Sequence, residues 1–201
     1  MIETLIAATP FLAGGFATNL LIAAVSMALG TLIGLMLAAL RAAGRWWTRP
    51  PAELATSLCR NVPSFVLLFY VAFMLPVEVE VAGHLLAIPL WVKATVALTI
   101  PVVGFTSDQG LGLRRQRAGG DGAALATFFV AWMQYFLIII MASATASVIG
   151  ADEIVGRANR LIAQDHRPAF LLLTYAYVSL WFMAAGLIFS WGLGRFMASR
   201  H

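Results

Sequence analysis

Two ionisable side chains, Arg60 and Lys93, sit inside otherwise apolar stretches of this 201-residue chain, and a third, Asp108, closes one. A charge away from water is expensive, so such residues are held by a counter-charge, reach back to water, or line a polar path. Asn61, Ser143, Thr145 and Ser147 add amide and hydroxyl groups that could line the same path. Hydroxyls in apolar helices also bond their own backbone or a neighbouring helix. Covalent chemistry has no support. There is no G-x-x-x-x-G-K-[ST] phosphate loop and no G-x-S-x-G nucleophile turn. His84, His166 and His201 lack metal-ligand spacing, so no metal and no cofactor is expected. The single cysteine, Cys59, excludes an internal disulfide. These residue types support charge pairing and hydrogen bonding in an apolar surround.

That surround follows from composition. The chain is 61% hydrophobic and 11% charged, with a mean hydropathy of +0.88. A water-soluble domain carries about twice that share of charge, so lipid is the expected solvent. Five apolar stretches stand out, at about 16–40, 54–76, 85–107, 123–149 and 168–194. Each is long enough to cross a hydrocarbon core of about 30 Å as a helix. Helix is required because lipid offers no partner to backbone N–H and C=O groups. The alternating ten-residue segments of a membrane barrel are absent. The expectation is an all-α membrane protein, a single domain over 1–201 with about five transmembrane helices. Trp46, Trp47, Trp91 and Trp191 fall near the ends of apolar runs, where an aromatic belt belongs, whereas Trp132 and Trp181 lie deeper. The first stretch has only Glu3 before it and no basic segment, so it is expected to be retained rather than cleaved as a signal.

The connecting segments set the orientation. Arg41, Arg45 and Arg49, then Arg114, Arg115 and Arg117, then Arg195 and Arg200 fall on one side of a five-span chain. The other side carries Arg157, Arg160 and Arg167, with Glu3, Glu78 and Glu80. Eight basic residues against three place the first set in the cytoplasm. The amino terminus is then outside and the carboxyl terminus inside. The modest net charge of +4 is explained by this topology and requires no nucleic acid.

Residues 151–164 put Ile154, Ala158 and the pair Leu161 and Ile162 on one face, with Asp152 and Glu153 in the first turn where the helix dipole favours them. A short amphipathic helix at the outer surface is expected there, and Pro168 suits the first turn of the fifth span. Gly30 and Gly34 form a small-xxx-small pair that allows close helix approach, within this bundle or between two chains. Pro63 and Pro101 interrupt the second and third stretches and predict bends. Lys93, near the outer end of the third stretch, is expected to snorkel to the interface.

Three phrases resemble polar amino-acid permeases of ATP-binding cassette importers. The run from Arg60 to Pro76 is similar to the family's R-G-T-P-L-L-V-Q-L-F-F-x-Y-F-x-L-P, with Arg60, Pro63, Phe69, Leu75 and Pro76 matching and Asn61 and Val62 replacing glycine and threonine. The run from Ser143 to Gly150, followed by Glu153, is similar to D-T-S-L-x-S-V-I-G-x-x-E-L. The run from His166 to Phe170 resembles T-F-R-P-F. Asp108 falls where the family has glutamate in A-Y-x-A-E-I. The order and spacing agree, and the resemblance spans roughly residues 16–194.

The resemblance implies a type I ABC importer permease fold in the bacterial cytoplasmic membrane. It implies a second permease chain, cytoplasmic ATP-binding subunits and an external solute-binding protein as partners. ATP would be hydrolysed on a separate chain, so this one is not expected to be an enzyme. On this resemblance Arg60, Asn61, Pro63, Asp108, Ser143, Thr145 and Ser147 are candidates for the solute path, and Arg114, Arg115 and Arg117 for the surface facing the ATPase. That arginine cluster is equally accounted for as a topology signal or an anionic-lipid contact. The sequence also departs from the family. The E-A-A-x-x-x-G coupling segment is missing from 110–122, with Ala123 and Ala124 at most its relic. Met141 and Ala142 stand where the family has lysine and aspartate. A degenerate, non-coupling partner subunit, or a membrane interaction or regulatory protein without transport activity, are the alternatives.

Overall fold

The structure is a computed structural model that describes every residue except Ala82, His166 and 199–201. It is built from α1 (Ile2–Ala7), α2 (Thr9–Ala42), α3 (Arg49–Asn61), α4 (Ser64–Met74), strands β1 (Glu78–Val81) and β2 (His84–Ala87), α5 (Leu90–Ala118), α6 (Ala124–Ser143), a 3-10 segment Ala144–Ile149, α7 (Ile154–Ile162) and α8 (Pro168–Ala198). Among the described residues four helices are long and apolar enough to cross a membrane, and a fifth crossing arises if the bent pair α3–α4 acts as one.

The first and fifth stretches appear as α2 and α8, each somewhat longer than its apolar run. The second does not form one straight helix. α3 and α4 meet at 99°. Pro63 removes a backbone donor, and Val62 before it is extended (φ −81°, ψ 125°), so the ladder stops there. The third stretch begins later than its hydropathy suggests. Glu78, Val79, Glu80 and Val81 alternate with the period of a strand, and this segment pairs antiparallel with His84–Ala87, Glu80 opposite Leu85. Pro89, itself extended, then starts α5, which runs past Asp108 to Ala118. Apolarity marks where lipid ends, not where a helix ends. The fourth stretch is α6 followed by the 3-10 segment, closed by Gly150 at φ 86°.

α2 and α5 form the centre of the bundle. A Cβ on Gly30 would lie 2.5 Å from Val102 Cβ, and one on Gly34 would lie 2.7 Å from the Val103 carbonyl. The glycine pair is therefore an internal seam between these two helices. Ile22, Met27, Leu98, Val102, Ile139 and Ile140 fill the core around it. α3 crosses α5 at Gly104, where an added Cβ would meet the Arg60 backbone nitrogen at 2.8 Å. The expected amphipathic helix is α7, with Ile154 and Ala158 buried. It packs on the start of α2, where Gly15 lets the Ile154 backbone approach.

Candidate functional site

Two polar centres lie far apart along α2. Arg41, near its carboxyl end, and Asn19, near its amino end, are separated by roughly 33 Å at about 1.5 Å per residue.

At the Arg41 end, Asp108 on α5 takes two guanidinium groups. Arg41 Nη1 donates to Oδ1 at 2.8 Å and Arg60 Nη1 donates to Oδ2 at 2.6 Å. Arg41 also donates to Ser107 Oγ at 3.0 Å, and the hydroxyls of Ser107 and Thr56 are 2.8 Å apart. The last turn of α3 supplies Arg60, and the contact of that turn with Gly104 aims it at α5. The Arg41 side chain is 13% exposed and Arg60 63%, so Arg41 carries most of the energetic weight of the pair. A cleft of about 180 Å³ opens here, walled by Glu53, Ser57, Arg60, Asn61 and Asp108 among others. Asn61 donates to the Ser57 carbonyl and hydroxyl within its own helix. The structure thus brings Arg60, Asn61 and Asp108 together, with Pro63 at the break just beyond.

Ser143, Thr145 and Ser147 are not part of that cleft. Ser143 belongs to the second centre, in which Asn19 Nδ2 donates to Ser143 Oγ at 2.9 Å and to Glu153 Oε2 at 3.0 Å. Asn19 Oδ1 accepts from the Ile154 backbone N–H at 3.1 Å. Glu153 caps α7, accepting from Val155 N at 3.0 Å and Gly156 N at 2.7 Å. Asn19, Ser143 and Glu153 are all fully buried. Burial pushes the Glu153 carboxyl up from its ordinary value, against the pull of its three donors. Thr145 and Ser147 donate back to the carbonyls of Ala142 and Ala144, each bonding its own backbone.

Arg114, Arg115 and Arg117 ride on the last turns of α5, exposed, and among the described residues their side chains form no hydrogen bond or ion pair. No helix lies between α5 and α6, which are joined by residues 119–123. Gly120 turns the chain at φ 82° and Asp121 accepts from Ala123 N at 2.8 Å. Lys93 does not snorkel. It is 2% exposed, and its Nζ donates to the carbonyls of Ala72 and Leu75 at 3.1 and 2.9 Å. These are orphan acceptors at the end of α4, where the helix dipole also favours a cation. His166, from the third resembling phrase, lies outside the described residues, as does Arg200.

Asn19, Arg41, Thr56 and Ser107 are central to these centres yet absent from the sequence-based set. For Asn19 a signal existed, since an amide alone in an uncharged apolar stretch needs a buried partner. For Thr56 and Ser107 none existed, because small hydroxyls are common in such helices.

No family model matches the sequence, and no curated protein matches it significantly. A solved structure does. A chain of a structure described as the crystal structure of an amino acid ABC transporter with histidines is similar over 98% of this chain and 97% of its own, with a TM-score of 0.78 at 18% identity. At that identity the likeness establishes the fold, and the all-α membrane fold expected from the apolar stretches is the fold found.

Proposed function

We propose that this chain is the membrane-spanning permease subunit of an ATP-driven importer of amino acids or similar small polar solutes. One observation carries the reading: the end-to-end structural likeness to a chain of an amino acid ABC transporter. In this reading the chain pairs with a second permease chain in the bacterial inner membrane. ATP-binding subunits meet it from the cytoplasm and a solute-binding protein from outside. The arginine-rich end, with Arg41 and Arg114, is cytoplasmic by the excess of basic residues there. Closure of the ATPases turns the spans from inward-open to outward-open, the binding protein delivers the solute, and reopening releases it inward.

The path passes beside the closely packed α2–α5 seam, not through it. The cleft at Arg60, Asn61 and Asp108 is its inner mouth, and the break at Pro63 is where α3 and α4 re-angle. That mouth carries two guanidiniums, Arg41 and Arg60, and two carboxylates, Glu53 and Asp108, a balanced set that suits a solute bearing both an ammonium and a carboxylate. Ser143, Thr145 and Ser147 stand toward the outer end, with Ser147 on a second cleft beside Asp152 and Asn159. The test is reconstitution of the complex isolated around this chain into proteoliposomes, with uptake of labelled amino acids measured. Uptake that requires both ATP and the binding protein supports the reading. A complex isolated without any ATPase overturns it.

One observation favours a second reading, a non-coupling partner beside a complete permease. Residues 119–123 leave no room for a separate docking helix between α5 and α6. Crosslinking from cysteines placed at 114–122 separates the two: strong native crosslinks to an ATPase support coupling by this chain, and their absence supports the partner role.

A further inference from the structure

The unpaired arginines at the end of the bundle mark a second binding surface. α2 ends at Ala42, the chain turns through residues 43–48, and α3 starts at Arg49 beside the last turns of α5. Between these three elements lies a cleft of about 280 Å³, walled by Arg41, Arg49, Glu53, Arg114 and Arg115, with Leu111 on an apolar side. Four guanidiniums face a single carboxylate, and that carboxylate is already held by Arg49 at 2.8 Å. The side chains of Arg114 and Arg115 make no hydrogen bond or ion pair among the described residues. Arg41 is tied to Asp108 through Nη1, while its Nε is buried without a partner.

The level of this cleft in the membrane follows from its neighbours. Trp46 and Trp47, on the adjoining turn, are 87% and 58% exposed, and Arg45 lies over the Trp47 ring at 5.7 Å. Exposed tryptophans at the ends of apolar helices belong to the headgroup zone. A guanidinium presents planar paired donors that match phosphate oxygens. An apolar wall beside them suits the first methylenes of an acyl chain. An acidic protein surface would satisfy the arginines but would leave the tryptophans and Leu111 without a reason to be there.

We infer that this cleft binds the phosphate of an anionic phospholipid, with Arg114 and Arg115 as its principal ligands and Arg41 and Arg49 completing the positive wall. The inference requires lipid around the helices but not transport, so its failure leaves the transport reading standing, and the reverse holds too.

The test uses the full chain, purified in detergent with whatever partners accompany it, titrated with dioleoyl phosphatidylglycerol, dioleoyl phosphatidylcholine or sodium phosphate. Bound lipid is read by native mass spectrometry. Phosphatidylglycerol binds and phosphatidylcholine does not. Each arginine near an anionic headgroup is worth about fivefold, so R114Q/R115Q weakens phosphatidylglycerol binding roughly 30-fold. R114K/R115K keeps the charge and stays within about fivefold of the parent chain. R195Q, which removes an arginine stacked on Trp191 outside the cleft, leaves binding unchanged. Equal binding of phosphatidylcholine overturns the inference, as does an R195Q loss matching that of R114Q/R115Q. It is also overturned if sodium phosphate displaces the lipid at micromolar concentration, or if R114Q/R115Q leaves lipid binding intact while abolishing crosslinks from this segment to a co-purified ATPase.

Discussion

Asn19→Leu removes the side chain that ties α2 to α6 and α7. Leucine keeps the branching of asparagine at Cγ but is bulkier, so overpacking adds to the polar loss and the pH dependence below separates the two. Three hydrogen bonds go, to Ser143 Oγ, to Glu153 Oε2 and from the Ile154 N–H. Ser143 keeps its own bond to the Ile140 carbonyl, so its loss is small. Ile154 N–H is left buried without an acceptor, which costs about 1–3 kcal/mol, and Glu153 loses one of three donors to a charged, buried carboxylate, at about 1–2 kcal/mol. The expected total is about 2–4 kcal/mol, toward the lower end because such bonds are weaker in membrane bundles than in water-surrounded cores. The assay is reversible unfolding of the purified chain in detergent, followed by helical ellipticity. A pH arm makes the result specific. Glu153 has a folded-state pKa raised by burial above its ordinary 4.5. The folded state therefore binds more protons than the unfolded one in the window above 4.5, and stability falls as pH rises through that window to the raised value. Losing the Asn19 donor raises that pKa further, so the cost of Asn19→Leu is largest above the raised value and shrinks as pH falls through it and Glu153 takes up a proton. A cost within about 0.5 kcal/mol of zero, or one that does not change over this range, refutes the account of the network.

The other expectations concern the remaining contacts. Gly34→Val places a side chain against the Val103 carbonyl and Thr106, and separates α2 from α5; a loss of about 2–3 kcal/mol or more in the same unfolding assay is expected. Asp108→Asn leaves Arg41 largely buried without its counter-charge, at about 2–4 kcal/mol, whereas Arg60→Gln, removing the exposed partner, costs under about 1 kcal/mol. Equal costs for these two would show that the exposure difference does not govern the triad. Lys93→Met keeps the stem but frees the Ala72 and Leu75 carbonyls; a loss of about 1–3 kcal/mol is expected, with faster hydrogen exchange confined to the end of α4.

Several features were legible without coordinates because their causes are local. Charge-free runs of helical length named α2, α6 and α8, and the period of Ile154 and Ala158 named α7. The failures share a cause as well. Residues 85–87 are apolar enough to extend a span, yet they pair with the alternating Glu78–Val81 segment, a partnership that hydropathy does not contain. Asp108 ends a run of apolar residues but not its helix, since Arg41 and Arg60 arrive from two other elements to hold it. Lys93 reads as a snorkelling residue until the broken end of α4 is placed beside it. Thr145 and Ser147 have the residue type of a polar path but spend their donors on the preceding turn.

The sequence by itself determined that lipid is the solvent and that helices cross it, because the cost of an unpaired peptide group in hydrocarbon allows little else. It also located the break at Pro63, where the missing donor ends α3, whereas Pro101 sits inside the continuous helix α5. Which polar groups meet was decided by the tertiary structure alone. Asn19 finds Ser143 and Glu153 at separations of 124 and 134 residues, and Arg60 finds Asp108 at 48. Those pairings depend on how each helix is rotated about its axis and how deep it sits against its neighbour. Both are set by the fit of small residues such as Gly30, Gly34 and Gly104 against other backbones, a property of surfaces in contact that no single stretch of chain encodes.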